Sequence, residues 1–377
     1  MPLRRKLRTA AARAAGAVAD RRQRRAIARA RPARGVGVRV SYGVRQVPGA
    51  GEPLSGGMVK FQRLAAVYPN SPLDFNLLYL GSSSRPRDSS ALIRLARQRA
   101  AAFVWNQDGV AYPGWHGPGW ERANVPMAEA LHEADHVFFQ SEFCKLGADR
   151  FLGERRGPSE ILYNAVDTAF FCPAPGPGAA RGGDRPLTLL LGGSQYQWYR
   201  VELALRALAT LVRRGEPARL IVTGALVFDP DPGRARLRVV GLGAELGVEG
   251  QVELTGPFTQ QAAPSVYRRA DLLLHPKVND PCPGTVLEAM ACGLPVVYSA
   301  TGGVPELVGA DAGVGIPGPL DFEHDHLPSP EELAAAVQQV AGSLAEHAAA
   351  ARQRAVERFD LQPWVERHRA VFERLAP

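Results

Sequence analysis

The chain has 377 residues, 46% of them hydrophobic, with four scattered cysteines and a formal net charge of +8. This length favours two globular domains, and the lack of any apolar run of about 18 residues argues against a membrane-spanning helix. Because the cysteines lack metal-binding spacing and no signal peptide is recognisable, we expect a cytoplasmic protein with reduced thiols.

The positive charge is concentrated in a basic arm, residues 1–35. Residues 1–34 contain twelve Arg or Lys residues and one acid, Asp20, a local charge of +11. The rest of the chain therefore carries −3, the difference between +8 and +11. The arm is interpreted either as a solvated extension or as a peripheral contact with an anionic membrane surface. No aromatic residues interleave with its charges, so we expect no nucleic-acid partner.

Residues 36–173 are predicted to form a first Rossmann-like domain, since strand and helix patterns alternate along them. Expected strands lie at 36–42, 75–80 and 102–105, with helices at 58–67, 91–101 and 124–134 and a strand followed by a helix start over 135–143. Gly56 and Gly57 stand at a strand-to-helix turn, where a ligand can approach the backbone. The loop after the strand at 102–105 carries Asp108, Trp115 and His116, and it follows the carboxyl end of that strand, where α/β domains bind ligands.

A Pro- and Gly-rich linker is predicted at 174–186, followed by a second Rossmann-like domain at 187–347. Expected strands lie at 187–191, 218–224 and 251–256, and a helix at 200–213. Gly193 and Ser194 form the turn after the first of these strands. Residues 348–377 are predicted to be helical, with an interruption near Pro363.

The stretch from His275 to Gly309 has the pattern of a strand, a glycine-bearing loop, a helix and a second strand. The loop holds Asp280, Pro283 and Gly284, and the helix begins near Thr285 and carries Glu288. Backbone N–H groups at a helix start are unpaired and lie at the positive end of the helix dipole, so they bind phosphates well. The alternative is a structural unit with a surface carboxylate.

The run Glu288 to Val297, EAMACGLPVV, with Asp280 preceding Glu288 by a spacer of seven residues, resembles the signature of glycosyltransferase family 4. The family has Glu where this chain has Asp280. Asn164 to Asp167 is similar to the family's Asn-Gly-Val-Asp, with Ala165 in place of Gly. The resemblance covers residues 36–375 and implies the GT-B fold, in which two Rossmann-like domains face a cleft and a last helix crosses back to the first domain.

By this resemblance, Asp280 contacts the hexose hydroxyls of a nucleotide sugar and Glu288 contacts the ribose. The family's usual Arg and Lys for the diphosphate are missing, and Arg200 and Lys277 are the candidate replacements, grouped with the two acids as catalytic residues. The remaining candidate donor-binding residues are Gly56, Gly57, Gly193, Ser194, Phe258, Pro283, Gly284, Thr285 and Val286. The candidate acceptor-binding residues are Asp108, Trp115 and His116.

The resemblance thus implies a retaining hexosyltransferase that uses a UDP- or GDP-sugar without a metal. Its acceptor would be a hydroxyl of a glycan, a lipid-linked compound or a natural product, reached in the cytoplasm or at the inner face of the membrane. Two alternatives remain open: a sugar-nucleotide-binding protein whose catalysis has decayed, and a GT-B isomerase. A phosphorylase is disfavoured because no cofactor-bearing Lys motif is evident.

Overall fold

The computed structural model describes residues 21–22, 25–29, 37–49, 51–52, 56–174 and 185–376. Most of the basic arm and nearly all of the predicted linker lie outside these residues. Within them, eleven strands form two fully parallel sheets, one in each half of the chain. This arrangement confirms the predicted α/β class with two Rossmann-like domains. None of the helices in the described ranges has the length and apolar character that a bilayer crossing requires.

The first domain is a five-stranded sheet in the order β1-β2-β3-β4-β5. Its strands are β1 Val40–Ser41, β2 Leu77–Gly81, β3 Ala102–Gln107, β4 His136–Phe139 and β5 Ser159–Ile161. Its helices are α1 Gly56–Ala65, α2 Ser89–Gln98, α3 Pro113–His116, α4 Trp120–Glu133 and α5 Glu142–Leu152. Helices cover both faces of a parallel sheet, so strands such as β2 are buried along their whole length. Strand β1 is shorter than predicted because only Val40 and Ser41 pair with β2.

The second domain is a six-stranded sheet in the order β11-β10-β9-β6-β7-β8. Its strands are β6 Leu187–Leu191, β7 Ala218–Thr223, β8 Val252–Gly256, β9 Leu272–His275, β10 Val296–Ser299 and β11 Gly313–Ile316. Its helices are α6 Trp198–Arg213, α7 Pro232–Glu245, α8 Ala263–Tyr267, α9 Gly284–Ala291, α10 Val304–Val308 and α11 Pro330–Gly342. Strand β11 was not predicted because two of its four residues are glycines, which disfavour strands.

Two more helices end the described chain, α12 Leu344–Phe359 and α13 Leu361–Leu375. Only α13 crosses to the first domain, where Trp364 and Phe372 share a core with Tyr79. Helix α12 packs mainly on the second domain, where its small apolar side chains contact α9, and its Arg352 also donates to the carbonyls of Thr168 and Phe171. The returning segment is therefore shorter than the predicted 348–377. The break falls at Asp360, whose carboxylate accepts a hydrogen bond from the N–H of Gln362 at 3.0 Å, while Pro363 sits in the first turn of α13, where proline is tolerated.

The carboxyl ends of the two sheets face each other across a cleft, and several contacts close it. The Ser141 hydroxyl donates to the Pro281 carbonyl at 2.8 Å, and the N–H of Gly114 donates to the Phe322 carbonyl at 2.8 Å. Phe322 belongs to the second domain, yet its side chain is 2% exposed and lies in the core of the first domain. The segment of residues 317–328, here called the strap, thus anchors one domain in the other.

Candidate functional site

The turn after β6 and the start of α9 meet at the carboxyl edge of the second sheet. Gly193 has φ +78°, and a Cβ on it would lie 3.2 Å from Cγ2 of Thr285. Its N–H donates to the Thr223 hydroxyl at 3.2 Å. A side chain at position 193 would therefore be both strained and crowded. The fold brings the two predicted phosphate-binding elements together, although they are about ninety residues apart in the sequence.

Helix α9 begins after Pro283, which takes an extended backbone conformation. Gly284 faces open space, since a Cβ built on it would meet nothing within 4 Å. The first turn of α9 is therefore accessible to an anion. Val286 does not share this exposure: its side chain is fully buried, and its N–H donates to the Pro283 carbonyl at 3.1 Å. Its side chain belongs to the core of the second domain, so it is not exposed to a ligand.

Asp280 lies at the end of the loop that follows β9 and is held by two neighbours. Its Oδ2 accepts from Nε2 of His275 at 3.0 Å and from the Lys277 ammonium at 3.1 Å. Burial alone would raise the pKa of Asp280, but Lys277 and His275 outweigh it and hold that pKa below its usual range. Burial also lowers the pKa of His275, so its imidazole is neutral near pH 7. The site thus presents a fixed, ionised carboxylate.

Glu288 faces the cleft from one turn inside α9. Its Oε2 accepts from the Tyr267 hydroxyl at 2.8 Å and its Oε1 from the Gln260 amide at 3.3 Å. Across the cleft, a terminal nitrogen of Arg63 on α1 lies 3.8 Å from Oε1. Burial raises the pKa of Glu288, while Arg63 and Tyr267 oppose the rise. A carboxylate offers about four acceptor positions, so room remains for a ligand hydroxyl.

The two predicted diphosphate cations, Arg200 and Lys277, are both engaged. Arg200 is 5% exposed, and its terminal nitrogens donate to the carbonyls of Ser194 and Gly192 at 3.0 and 3.1 Å. Arg200 therefore stabilises the turn through hydrogen bonds to two of its carbonyls. Lys277 pairs with Asp280 and also lies 5.4 Å from the ring centroid of Trp115 in the first domain. The structure places positive charge beside the turn and the Asp280 loop without leaving either side chain free.

The acceptor candidates differ in their surroundings. Trp115 is 50% exposed and faces Lys277 across the cleft. Asp108 accepts hydrogen bonds from the hydroxyls of Ser82 and Ser83, and its Oδ2 lies 3.5 Å from the Lys60 ammonium. His116 is exposed, and its Nδ1 lies 3.4 Å from the carbonyl of its neighbour Gly117. Of the three, Trp115 is the one that the structure joins to the Asp280 loop.

Three other predicted donor residues have clear structural surroundings. A Cβ on Gly57 would lie 2.6 Å from the Ser83 hydroxyl, so a side chain there would have to displace that hydroxyl. A Cβ on Gly56 would meet none of the described residues within 4 Å. Phe258 is half-buried and packs on the core that contains Tyr267.

Sequence reasoning missed several residues at this cleft, among them Lys60, Arg63 and His275. Lys60 and Arg63 stand one turn apart on α1, just after the Gly56-Gly57 pair, and both are largely buried. Their helical spacing beside a glycine turn was a usable signal. His275 ends an apolar strand, and a polar residue in that position is also a recognisable feature. Among the described residues, no group of three or more His, Cys, Asp or Glu side chains could hold a metal ion.

Comparison with known proteins finds a family match over the second domain. Residues 185–343 match the family model of "Glycosyl transferases group 1". The D-inositol 3-phosphate glycosyltransferase of Mycolicibacterium smegmatis is 35% identical over 210 residues, covering 53% of this chain and 45% of the relative. That of Salinispora tropica is 32% identical over 157 residues, covering 38% of this chain and 32% of the relative. The chain therefore spans between about a third and a half of the length of these relatives.

Solved structures show the same fold. HepE of Anabaena in complex with UDP-glucose superposes with a TM-score of 0.68 at 16% identity, covering 90% of this chain and 100% of that chain. Sucrose-phosphate synthase of Thermosynechococcus elongatus gives a TM-score of 0.63 at 18% identity, covering 84% of this chain and 76% of that chain. The part of the chain that the structure describes thus has the GT-B fold, and residues 185–343 match the family model of glycosyl transferases group 1.

Proposed function

We propose that this protein is a retaining glycosyltransferase that moves a hexosyl unit from a nucleotide sugar, without a metal ion, to an acceptor hydroxyl. The observation that carries the proposal is the meeting of Asp280, the open start of α9 and the Gly193 turn at one edge of the second domain. An ionised carboxylate beside a backbone anion site suits a sugar joined to a diphosphate. UDP or a UDP-hexose is the favoured donor, because HepE, a structural neighbour, was solved with UDP and with UDP-glucose.

The proposed reaction breaks the bond between the anomeric carbon and the diphosphate oxygen. The N–H groups at the start of α9 would stabilise the leaving diphosphate, and the Gly193 turn would flank it. Asp280 would accept hydrogen bonds from the hexose, and Glu288 from the ribose hydroxyls. The acceptor oxygen would attack from the face that the diphosphate leaves, and a phosphate oxygen would take its proton. This course retains the anomeric configuration.

The acceptor would enter from the first domain, past Trp115 and Asp108. An exposed indole can stack on the apolar face of a sugar ring, and Trp115 has that exposure. A glycan, a lipid-linked compound or a small natural product would all supply a suitable hydroxyl. We further propose that the basic arm, which carries a local charge of +11, brings the protein to an anionic membrane surface.

The test of this function is donor binding followed by turnover. UDP, GDP, ADP and dTDP should be compared by thermal shift with and without magnesium, since a ligand that binds only the folded state raises the melting temperature. We expect a shift with UDP that magnesium does not alter and that Glu288→Ala abolishes. Release of UDP from UDP-hexoses should then be followed with a panel of hydroxyl acceptors, and the anomeric configuration of the product read by NMR.

Two results would contradict the proposal. An inverted product would exclude the retaining course. Tight UDP binding without release of UDP from any donor would favour a nucleotide-binding protein instead, a reading to which the engagement of both Arg200 and Lys277 lends some support.

A further inference from the structure

A buried chain of hydrogen bonds runs through the first domain and ends on the second. The Lys60 ammonium donates to Oδ1 of Asn106 at 2.7 Å, and Nε2 of Gln140 donates to the same oxygen at 2.6 Å. Oε1 of Gln140 accepts from Nδ2 of Asn164 at 2.8 Å. The same Nδ2 also donates to the carbonyl of Cys282 at 2.8 Å. These side chains, with the Cys282 carbonyl, are here called the amide relay.

The cation at one end sets the direction of the whole relay. An ammonium has donors only, so Asn106 must turn its amide oxygen toward Lys60. That oxygen can then only accept from Gln140, which must present its NH₂ group there and its own oxygen to Asn164. The NH₂ group of Asn164 is thereby directed at the second domain. A reversed amide anywhere along the relay would place two donors or two acceptors face to face in a buried site, which is costly.

The relay ends on the loop that carries the proposed sugar contact. Cys282 lies between Asp280 and the start of α9, and its Sγ also accepts from the N–H of Asn164 at 3.3 Å. The preceding carbonyl, that of Pro281, accepts from the Ser141 hydroxyl at 2.8 Å. Two successive carbonyls of this loop are therefore held by side chains of the opposite domain. Neither bond can form when the domains are apart.

Burial makes the relay more than a surface contact. Lys60, Asn106 and Gln140 are 4%, 1% and 3% exposed. An ordinary apolar core would need none of these groups, and burying a cation is expensive unless it is paired and hydrogen-bonded. Lys60 is so satisfied, by Asn106 and by Asp108 at 3.5 Å. The first domain thus contains a buried polar network whose members are hydrogen-bonded and whose last member contacts the loop that carries Asp280.

We propose that Asn164, oriented by Lys60 through Asn106 and Gln140, is a positioning residue that sets the Asp280 loop when the two domains close. This inference rests on the proposed function for its effect on catalysis. Nucleotide binding lies mainly on second-domain groups such as Gly193 and Glu288, so it does not need the relay. The orientation of the hexose by Asp280 does need the relay, and the relay is complete only when the two domains are closed.

The test uses two substitutions at one position. Asn164→Asp keeps the shape but turns a donor into an acceptor that faces the carbonyl of Cys282, and Asn164→Ala removes the contact. Both should lower kcat about 30- to 100-fold, since misplacement of about 1 Å can cost that much, while the UDP dissociation constant changes less than about threefold. Gln98→Glu adds the same charge on an exposed helix position and should leave both values unchanged. A single cooperative melting transition in each variant would show that the variants fold.

Hydrogen exchange supplies a readout that does not need turnover. In both Asn164 variants, a peptide spanning residues 276–291 should exchange faster than in the parent protein, while one from α7 should not change. If the parent protein transfers no sugar, the proposed function fails but this exchange result still decides the relay. Unchanged exchange in the 276–291 peptide, or an equal loss of UDP affinity and kcat, would overturn the inference.

Discussion

At the scale of single residues, Asp280 shows how a shorter acid can occupy a position where the family that this chain resembles has Glu. Asp reaches one methylene less far, and here its carboxylate is fixed by His275 and Lys277 at 3.0 and 3.1 Å. A charge-assisted pair of this kind sets both the position and the ionisation of the acid. The orientation of a bound hexose would therefore depend on three side chains at the end of one strand and in the loop that follows it.

Asp280→Asn tests this arrangement. The amide is nearly the same size but carries no charge, so Lys277 loses its partner and the hexose loses its strongest acceptor. We expect kcat/KM for the UDP-sugar to fall by about 10²- to 10³-fold, the range seen when one preorganised polar contact is removed. UDP affinity should change little. Asp311→Asn, on the exposed surface, is the matched control, and an equally large effect there would count against a specific role for Asp280.

At the scale of elements, helix α13 joins the first domain through a buried histidine. Nδ1 of His368 donates to the Trp364 carbonyl at 2.9 Å, which requires the proton on Nδ1 and leaves Nε2 to accept from the Tyr79 hydroxyl at 3.0 Å. Burial lowers the pKa of His368 to about 3. The neutral ring is therefore part of the packing between α13 and the sheet.

The stability of the protein should therefore decrease as the pH is lowered. The unfolded histidine titrates near pH 6.5, so below that pH the unfolded state binds a proton that the folded state refuses. The contribution is fully present above pH 6.5 and decreases as the pH drops toward 3. Between pH 7.5 and 5.5 we expect His368 to account for a loss of about 1 kcal/mol in the free energy of unfolding.

Urea unfolding at the two pH values, with His368→Gln beside the parent protein, measures this loss. The variant should be less stable at pH 7.5 but should depend less on pH, by about the amount assigned to His368. An identical pH dependence in both proteins would show that other groups cause it.

At the scale of the whole molecule, the strap ties the two domains together. The Phe322 ring lies 5.1 Å from the rings of Tyr112 and Phe151 and 5.6 Å from that of Phe143, all in the first domain. A Cβ on Gly114 would lie 3.1 Å from the Phe322 carbonyl oxygen, so the strap backbone would have to shift to admit a side chain there. The strap thus favours the closed arrangement in which the amide relay is complete.

Phe322→Ala should loosen this closure. Removal of a buried Phe costs about 3–5 kcal/mol, and here the loss falls on the contact between domains. We expect a larger radius of gyration by small-angle X-ray scattering and a lower melting temperature. Leu327→Ala in the same strap, at a side chain that is 43% exposed, is the control and should change stability by about 0.5 kcal/mol or less. A radius of gyration that stays the same in Phe322→Ala would mean that other contacts hold the cleft closed.

Much of the architecture was predictable because it depends on local pattern. The strands around Leu77, Phe103, Leu189 and Leu273 are apolar runs with turn residues at their ends, and each appears close to its predicted place. The junction of Asp280, Gly284 and Glu288 followed from spacing along one loop and one helix. Strand β11 was not predicted because its glycines give no apolar pattern. The separate docking of α12 and α13 was not predicted either, because it depends on which surfaces the two helices meet.

Sequence pattern alone was therefore enough for the two α/β domains and for the loop and helix that carry Asp280 and Glu288, since these depend on residues near each other in the chain. The partners of those acids came only from the folded molecule. Arg63 meets Glu288, Asn164 meets Cys282 and Phe322 enters the first domain across more than one hundred residues of chain. Such contacts arise when two separately folded surfaces meet, and the geometry of that meeting is set by packing that no local sequence pattern encodes.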